Sequence, residues 1–166
     1  MARRSSQEIL ASIERLTELV RVYEQWDDHY HGARPEPYDE MTIDWCIERL
    51  REEGIRNSGI EIGLKENLRE IGEHILDIQR YVPHEAESFL AYYRERTGRD
   101  FWSDIENPHK AAKAIVRRGS IREESEFRLL MSILSDTEQT VFKGADVDRV
   151  NKLLLDFETR GKSNGD

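Results

Sequence analysis

Apolar residues along this chain recur mainly at helical spacing, and the clearest run lies near its middle. Leu64, Leu68, Ile71, Ile75, Ile78 and Val82 step by four, three, four, three and four, which places all six on one side of an α-helix. Gly72, inside the run, permits close approach of a neighbouring helix, and Pro83 ends or kinks it. Nearer the start, Ser5-Ser-Gln-Glu8 has the spacing of a capping box. It opens a helix reaching about Tyr30, with a stripe of Ile9, Ile13, Leu16, Val20, Tyr23 and Tyr30. Ile9, Leu16, Tyr23 and Tyr30 are seven apart, the period of a coiled coil. The repeat is short and ends in aromatics, so packing into the protein's own core is expected instead.

A second helix, capped by Asp39 or Thr42, carries Ile43, Trp45, Cys46, Ile47 and Leu50 and ends near Gly54. In Gly54–Gly63, Ile60, Ile62 and Leu64 alternate as on a strand. No partner strand is readable, so the segment is expected to be a loop. After Pro83 a further helix turns Ala86, Phe89, Leu90 and Tyr93 inward and stops at Gly98. Phe101, Trp102 and Ile105 form an aromatic connector that plugs the bundle.

The stretch from Asn107 to Phe157 predicts three more helices. Asn107 and Pro108 start the first, where an Asn oxygen satisfies an orphan N–H and proline loses nothing. Arg117, Arg118 and Gly119 close it, with cations at the negative end of the dipole and glycine in a left-handed cap. Ser120-Ile-Arg-Glu123 predicts a capping box before Phe127, Leu130, Met131 and Leu134, and Asp146 is expected to cap a last helix bearing Val147, Val150, Leu154 and Phe157.

The fold class that follows is all-α: six or seven amphipathic helices in one compact bundle, with a C-terminal three-helix unit. The expected organisation is a single helical domain over residues 1–160, its N-terminal bundle at about 5–98 and its C-terminal unit at about 107–158. Residues 161–166 are expected to be a disordered tail, being polar and rich in Gly and Ser.

Composition narrows the function classes. The 166 residues suffice for a real core. One cysteine, Cys46, excludes a disulfide framework and a multi-cysteine zinc site. No apolar run long enough to span a bilayer and no leader pattern is read, so no membrane association and a cytoplasmic location are expected. The net charge is -9, and residues 1–98 hold 21 Asp+Glu against 13 Lys+Arg. Such a surface disfavours sequence-independent nucleic-acid binding and suits a basic protein partner.

Candidate chemistry is sparse. Glu24, Asp28 and His31 fall at i, i+4 and i+7 on the first helix, one face that offers three oxygen and nitrogen ligands to a divalent metal. Glu70-x-x-Glu73 supplies half of a paired-carboxylate magnesium site, but no E-x-x-D partner helix exists. Glu106-x-x-His109 has a di-iron spacing but stands at a helix start and has no second copy. There is no nucleophile elbow and no glycine-rich phosphate loop, and no cofactor is implied.

A basic island remains. Lys110, Lys113, Arg117, Arg118 and Arg122 lie in a stretch, Asn107–Arg122, that contains no Asp or Glu. Lys110, Lys113 and Arg117 share a helix face and form a candidate binding surface. A helix-turn-helix reading is opposed by Glu123, Glu124 and Glu126, which put carboxylates where a DNA-reading helix needs donors. Pairing with the protein's own acidic N-terminal part would also account for the island.

The expected function is therefore non-enzymatic: a small acidic helical protein that binds another macromolecule, with a protein as the expected partner instead of nucleic acid, and an immunity- or antitoxin-like or adaptor role as concrete forms. The alternatives are a metal-dependent helical-bundle enzyme using Glu24, Asp28 and His31 or Glu70 and Glu73, and nucleic-acid binding through residues 110–122.

Overall fold

The computed structural model describes residues 4–36 and 40–163, with side chains through residue 160. Among them there are eight α-helices and no strand: α1 (Ser6–His31), α2 (Ile43–Glu52), α3 (Asn57–Tyr81), α4 (Pro83–Thr97), α5 (Phe101–Asp104), α6 (Pro108–Arg118), α7 (Glu124–Ser135) and α8 (Ala145–Ser163). The chain is all-helical, and it divides into two compact units, residues 1–105 and 106–166. The aromatic connector falls in the first because Phe101 and Ile105 are buried there.

In the first unit α1, α3 and α4 pack together, with α2 laid on α1 and α5 on α4. Helix α1 begins as its sequence dictates: the Ser5 hydroxyl accepts the Glu8 N–H and the Glu8 carboxylate accepts the Ser5 N–H. Of its heptad positions, Ile9, Leu16 and Tyr23 pack against the unit's own core, while Tyr30 stacks on Trp26 at 5.4 Å. An aromatic cluster of Trp26, Phe89, Tyr93 and Phe101 fills the centre, with ring centroids 5.2 Å apart for Trp26–Phe89 and 4.9 Å for Phe89–Phe101. Each fully buried side chain of this size adds about 1.5–3 kcal/mol.

The loop expected over Gly54–Gly63 is corrected. Helix α3 starts at Asn57, seven residues before the periodic run. Ile60 belongs to the buried stripe, one turn ahead of Leu64, and Ile62 is 67% exposed. The alternation of isoleucines mimics a strand only because one of the two faces water. Pro83 ends α3 and starts α4 at its first position, where the missing N–H has no intrahelical partner to lose. Thr42 caps α2, its hydroxyl accepting the Trp45 N–H; Asp39 lies outside the described residues.

In the second unit, α6, α7 and α8 enclose their own core, in which Ala112, Leu130 and Val150 are fully buried. Asn107 caps α6 as expected, accepting the Lys110 N–H. The capping box expected at Ser120–Glu123 is absent. Helix α7 begins three residues later, with Glu123 at its cap position, where its side chain accepts the Ser125 hydroxyl and caps no backbone N–H. Glu126 instead turns back to accept the Arg122 N–H at 2.8 Å. Helix α8 starts at Ala145, so Asp146 sits in its first turn instead of before it. Its backbone remains helical through Ser163, past Gly161, where glycine costs about 1 kcal/mol. Of the tail expected to be disordered, residues 164–166 lie outside the described residues.

Candidate functional site

Helix α6 owes its position to three local features: the Asn107 cap, Pro108 at its first residue, and Gly119 at φ 76°, whose N–H reaches the carbonyls of Ile115 and Val116. Its inner face is Pro108, Ala112 and Ile115, all buried. Lys110, Lys113 and Arg117 are exposed and, at 100° per residue, lie roughly opposite Ala112 and Ile115. Ala114 is the remaining exposed residue among them. Among the described residues no ion pair or side-chain hydrogen bond engages these three cations.

The other two members of the basic island have different partners. The Arg118 guanidinium donates to the Ser120 carbonyl at 2.8 Å and to the Glu126 carboxylate, tying the end of α6 to α7. Burial alone would raise the Glu126 pKa, but the Arg118 guanidinium and the Arg122 N–H outweigh it and hold the carboxyl below its ordinary value. Arg122 is anchored by its backbone, and its side chain is exposed. The five-residue island thus separates into a three-cation stripe and a structural tie. Glu126 therefore takes the charge of Arg118 alone, and the stripe keeps its charge within the unit.

The metal candidates on α1 do not converge. Glu24 accepts the Ile43 N–H at 2.9 Å, satisfying an orphan donor at the start of α2, and its partial burial raises its pKa. Asp28 lies 3.4 Å from the Arg34 guanidinium. The His31 ring reaches Asp27 at 2.9 Å and Glu85 at 3.0 Å. On α3, Glu73 and Glu66 both engage Arg69, while Glu70 is exposed. Among the described residues no group of three or more His, Cys, Asp or Glu is arranged to hold a metal ion. Cys46 is half-buried, and that burial raises its thiol pKa away from reactivity.

Two buried carboxylates escape a sequence reading altogether. Glu61 accepts from the Arg4 guanidinium at 2.7 Å and the Ser12 hydroxyl at 2.6 Å, with Lys65 at 3.0 Å. The Ser12 hydroxyl first, then Arg4 and Lys65, hold its carboxyl at about 2. Asp104 accepts from the Tyr93 hydroxyl at 2.8 Å and pairs with Arg99 at 2.9 Å and Arg15 at 3.2 Å. Most of these partners are 11 to 89 residues away, so no spacing rule could find them. Both clusters are fully used in holding helices together. A shallow groove of about 520 Å³ also opens between α1 and α2, lined by Leu10, Ile13 and Ile47 and crossed by the Arg21–Asp44 pair. It gathers no catalytic set.

No helix of the described residues is long and apolar enough to cross a membrane. No family model, curated protein or solved structure matches the chain.

Proposed function

We propose that this chain acts by binding another macromolecule, with the exposed face of α6 as its contact surface and an anionic partner. The observation that supports this reading is the unpaired state of Lys110, Lys113 and Arg117. Most arginines of the first unit are spent on its own carboxylates, among them Arg4, Arg15, Arg21, Arg34 and Arg69. The α6 stripe is left with full charge at a fixed spacing on a well-capped helix. Complementary potential of this kind steers association and fixes orientation.

The immunity- or antitoxin-like form draws on a surface of opposite charge, the surplus carboxylates of residues 1–105. Those are spread over four helices, Glu14 and Glu18 on α1, Glu48 on α2, Glu70 and Asp77 on α3, and Glu87 and Glu95 on α4; the one regular row, Glu66, Glu70, Glu73 and Asp77 on α3, has two of its four members spent on Arg69. The experiment is retention of the full chain on immobilised heparin, compared with a K113E/R117E variant checked for unchanged helix content. A net charge of -9 makes retention uninformative about bulk charge and diagnostic of a local patch. Salt-eluted retention by the native chain, lost in the variant, is expected. Flow-through of both, or equal retention, refutes the reading.

A further inference from the structure

We infer that the α6 face is a sequence-independent contact for a nucleic-acid backbone. This rests on the reading above and names the class of its anionic partner.

The sequence weighs against nucleic acid on two grounds, and each changes once the helices are in place. The first is the chain's acidity. Residues 106–166 carry 11 Lys+Arg and 11 Asp+Glu, so the whole excess of negative charge resides in residues 1–105. The second is the row of carboxylates opening α7. Glu126 is turned back onto Arg118 and the Arg122 N–H, and Glu123 and Glu124 are exposed at the start of α7. Those groups oppose base reading by α7. They leave phosphate contact by α6 untouched, because phosphate contact needs only cations.

Two properties of the face favour phosphates over an acidic protein. Protein interfaces draw most of their energy from buried aromatic or large apolar anchors, and the only uncharged residue exposed between the cations is Ala114. A backbone contact needs no such anchor, since counterion release supplies the affinity. The geometry also agrees. At 1.5 Å per residue the step from Lys110 to Arg117 covers roughly 10 Å of helix axis. That is about three nucleotide steps of 3.4 Å along a duplex axis, a span over which three cations can each meet one phosphate.

Three phosphates fix a magnitude. The slope of log affinity against log salt is about -2.7 for duplex DNA and about -2 for a single strand, so raising salt from 50 to 200 mM weakens binding about 40-fold or about 20-fold respectively. The test is fluorescence anisotropy of the full chain with two labelled 20-base-pair duplexes of unrelated sequence, a labelled single strand, and a labelled polyglutamate peptide. Equal affinity for both duplexes, the stated salt dependence, and loss of binding in both K113E/R117E and the neutral K113Q/R117Q are expected. Binding of polyglutamate without the nucleic acids would overturn this inference and leave an anionic protein partner, with the proposed function intact. A strong preference for one duplex, or nucleic-acid binding unchanged in both variants, would overturn it as well. No binding to any probe would remove both readings.

Discussion

Glu61 offers the most direct check on how the first unit is held together. The side chain projects from the first turns of α3 and is only 7% exposed. It is reached by Arg4 before α1, Ser12 within α1, and Lys65 one turn along α3. Replacing Glu61 with Gln keeps the shape and an acceptor for the Ser12 hydroxyl but removes the charge. A carboxyl held at about 2 against an ordinary 4.5 corresponds by linkage to about 3 kcal/mol at neutral pH. Arg4 and Lys65 are about half exposed, and screening by solvent brings this to about 1.5–2 kcal/mol. Because the folded carboxyl is the more acidic, its contribution is complete above pH 4.5 and is lost as pH falls through 4.5 towards 2. At pH 3 less than half should remain.

The assay is urea unfolding followed by tryptophan emission, since Trp26, Trp45 and Trp102 all belong to the first unit. With a slope of about 1–3 kcal/mol/M, Glu61→Gln should lower the midpoint by about 1 M at pH 7. The difference should shrink steadily on acidification to pH 3. An equal loss at both values would mean that shape and packing matter at this position and charge does not. No loss at pH 7 would mean that the Arg4–Glu61–Ser12 cluster contributes nothing, and either result defeats the reasoning.

Two further substitutions address the corrected helix and the second buried carboxylate. Ile62→Glu should change stability by no more than about 0.5 kcal/mol, whereas Ile60→Glu should prevent cooperative unfolding of the first unit, because only Ile60 lies in the core. Similar effects at both positions, read by thermal melts, would contradict a helix beginning at Asn57. Asp104→Ala leaves the Tyr93 hydroxyl and two guanidiniums without their shared acceptor and should cost about 2–3 kcal/mol, measured by chemical denaturation. A cost below 0.5 kcal/mol would show that water replaces the carboxylate without penalty.

Most helix boundaries were legible in the sequence because they depend on neighbours. Ser5 with Glu8, Asn107 with Lys110, Pro83 and Gly119 act within a few residues, and so does the period of the α3 stripe. The basic stripe on α6 was legible for the same reason: three cations at helical spacing are on one face wherever the helix is placed. The misreadings arose where two local signals compete. Ile60 and Ile62 satisfy a strand pattern and a helix pattern at once, and Ser120–Glu123 has capping-box spacing although Glu126 makes the bond that counts. Packing decides such cases, since burying Ile60 in the core of the first unit outweighs any local preference in a short segment.

Tertiary structure alone determined which charges are free. The same residue type stands at Arg15, Arg117 and Arg118, yet Arg15 and Arg118 meet carboxylates of other helices and Arg117 does not. Glu24, Asp28 and His31 share a helical face, as their spacing requires, but Ile43, Arg34 and Glu85 draw them to separate partners. A helical period fixes direction around one axis. Beyond pairs made within one helix, whether a charge is spent or available depends on what other helices bring within about 4 Å, and distance along the chain carries no information about that.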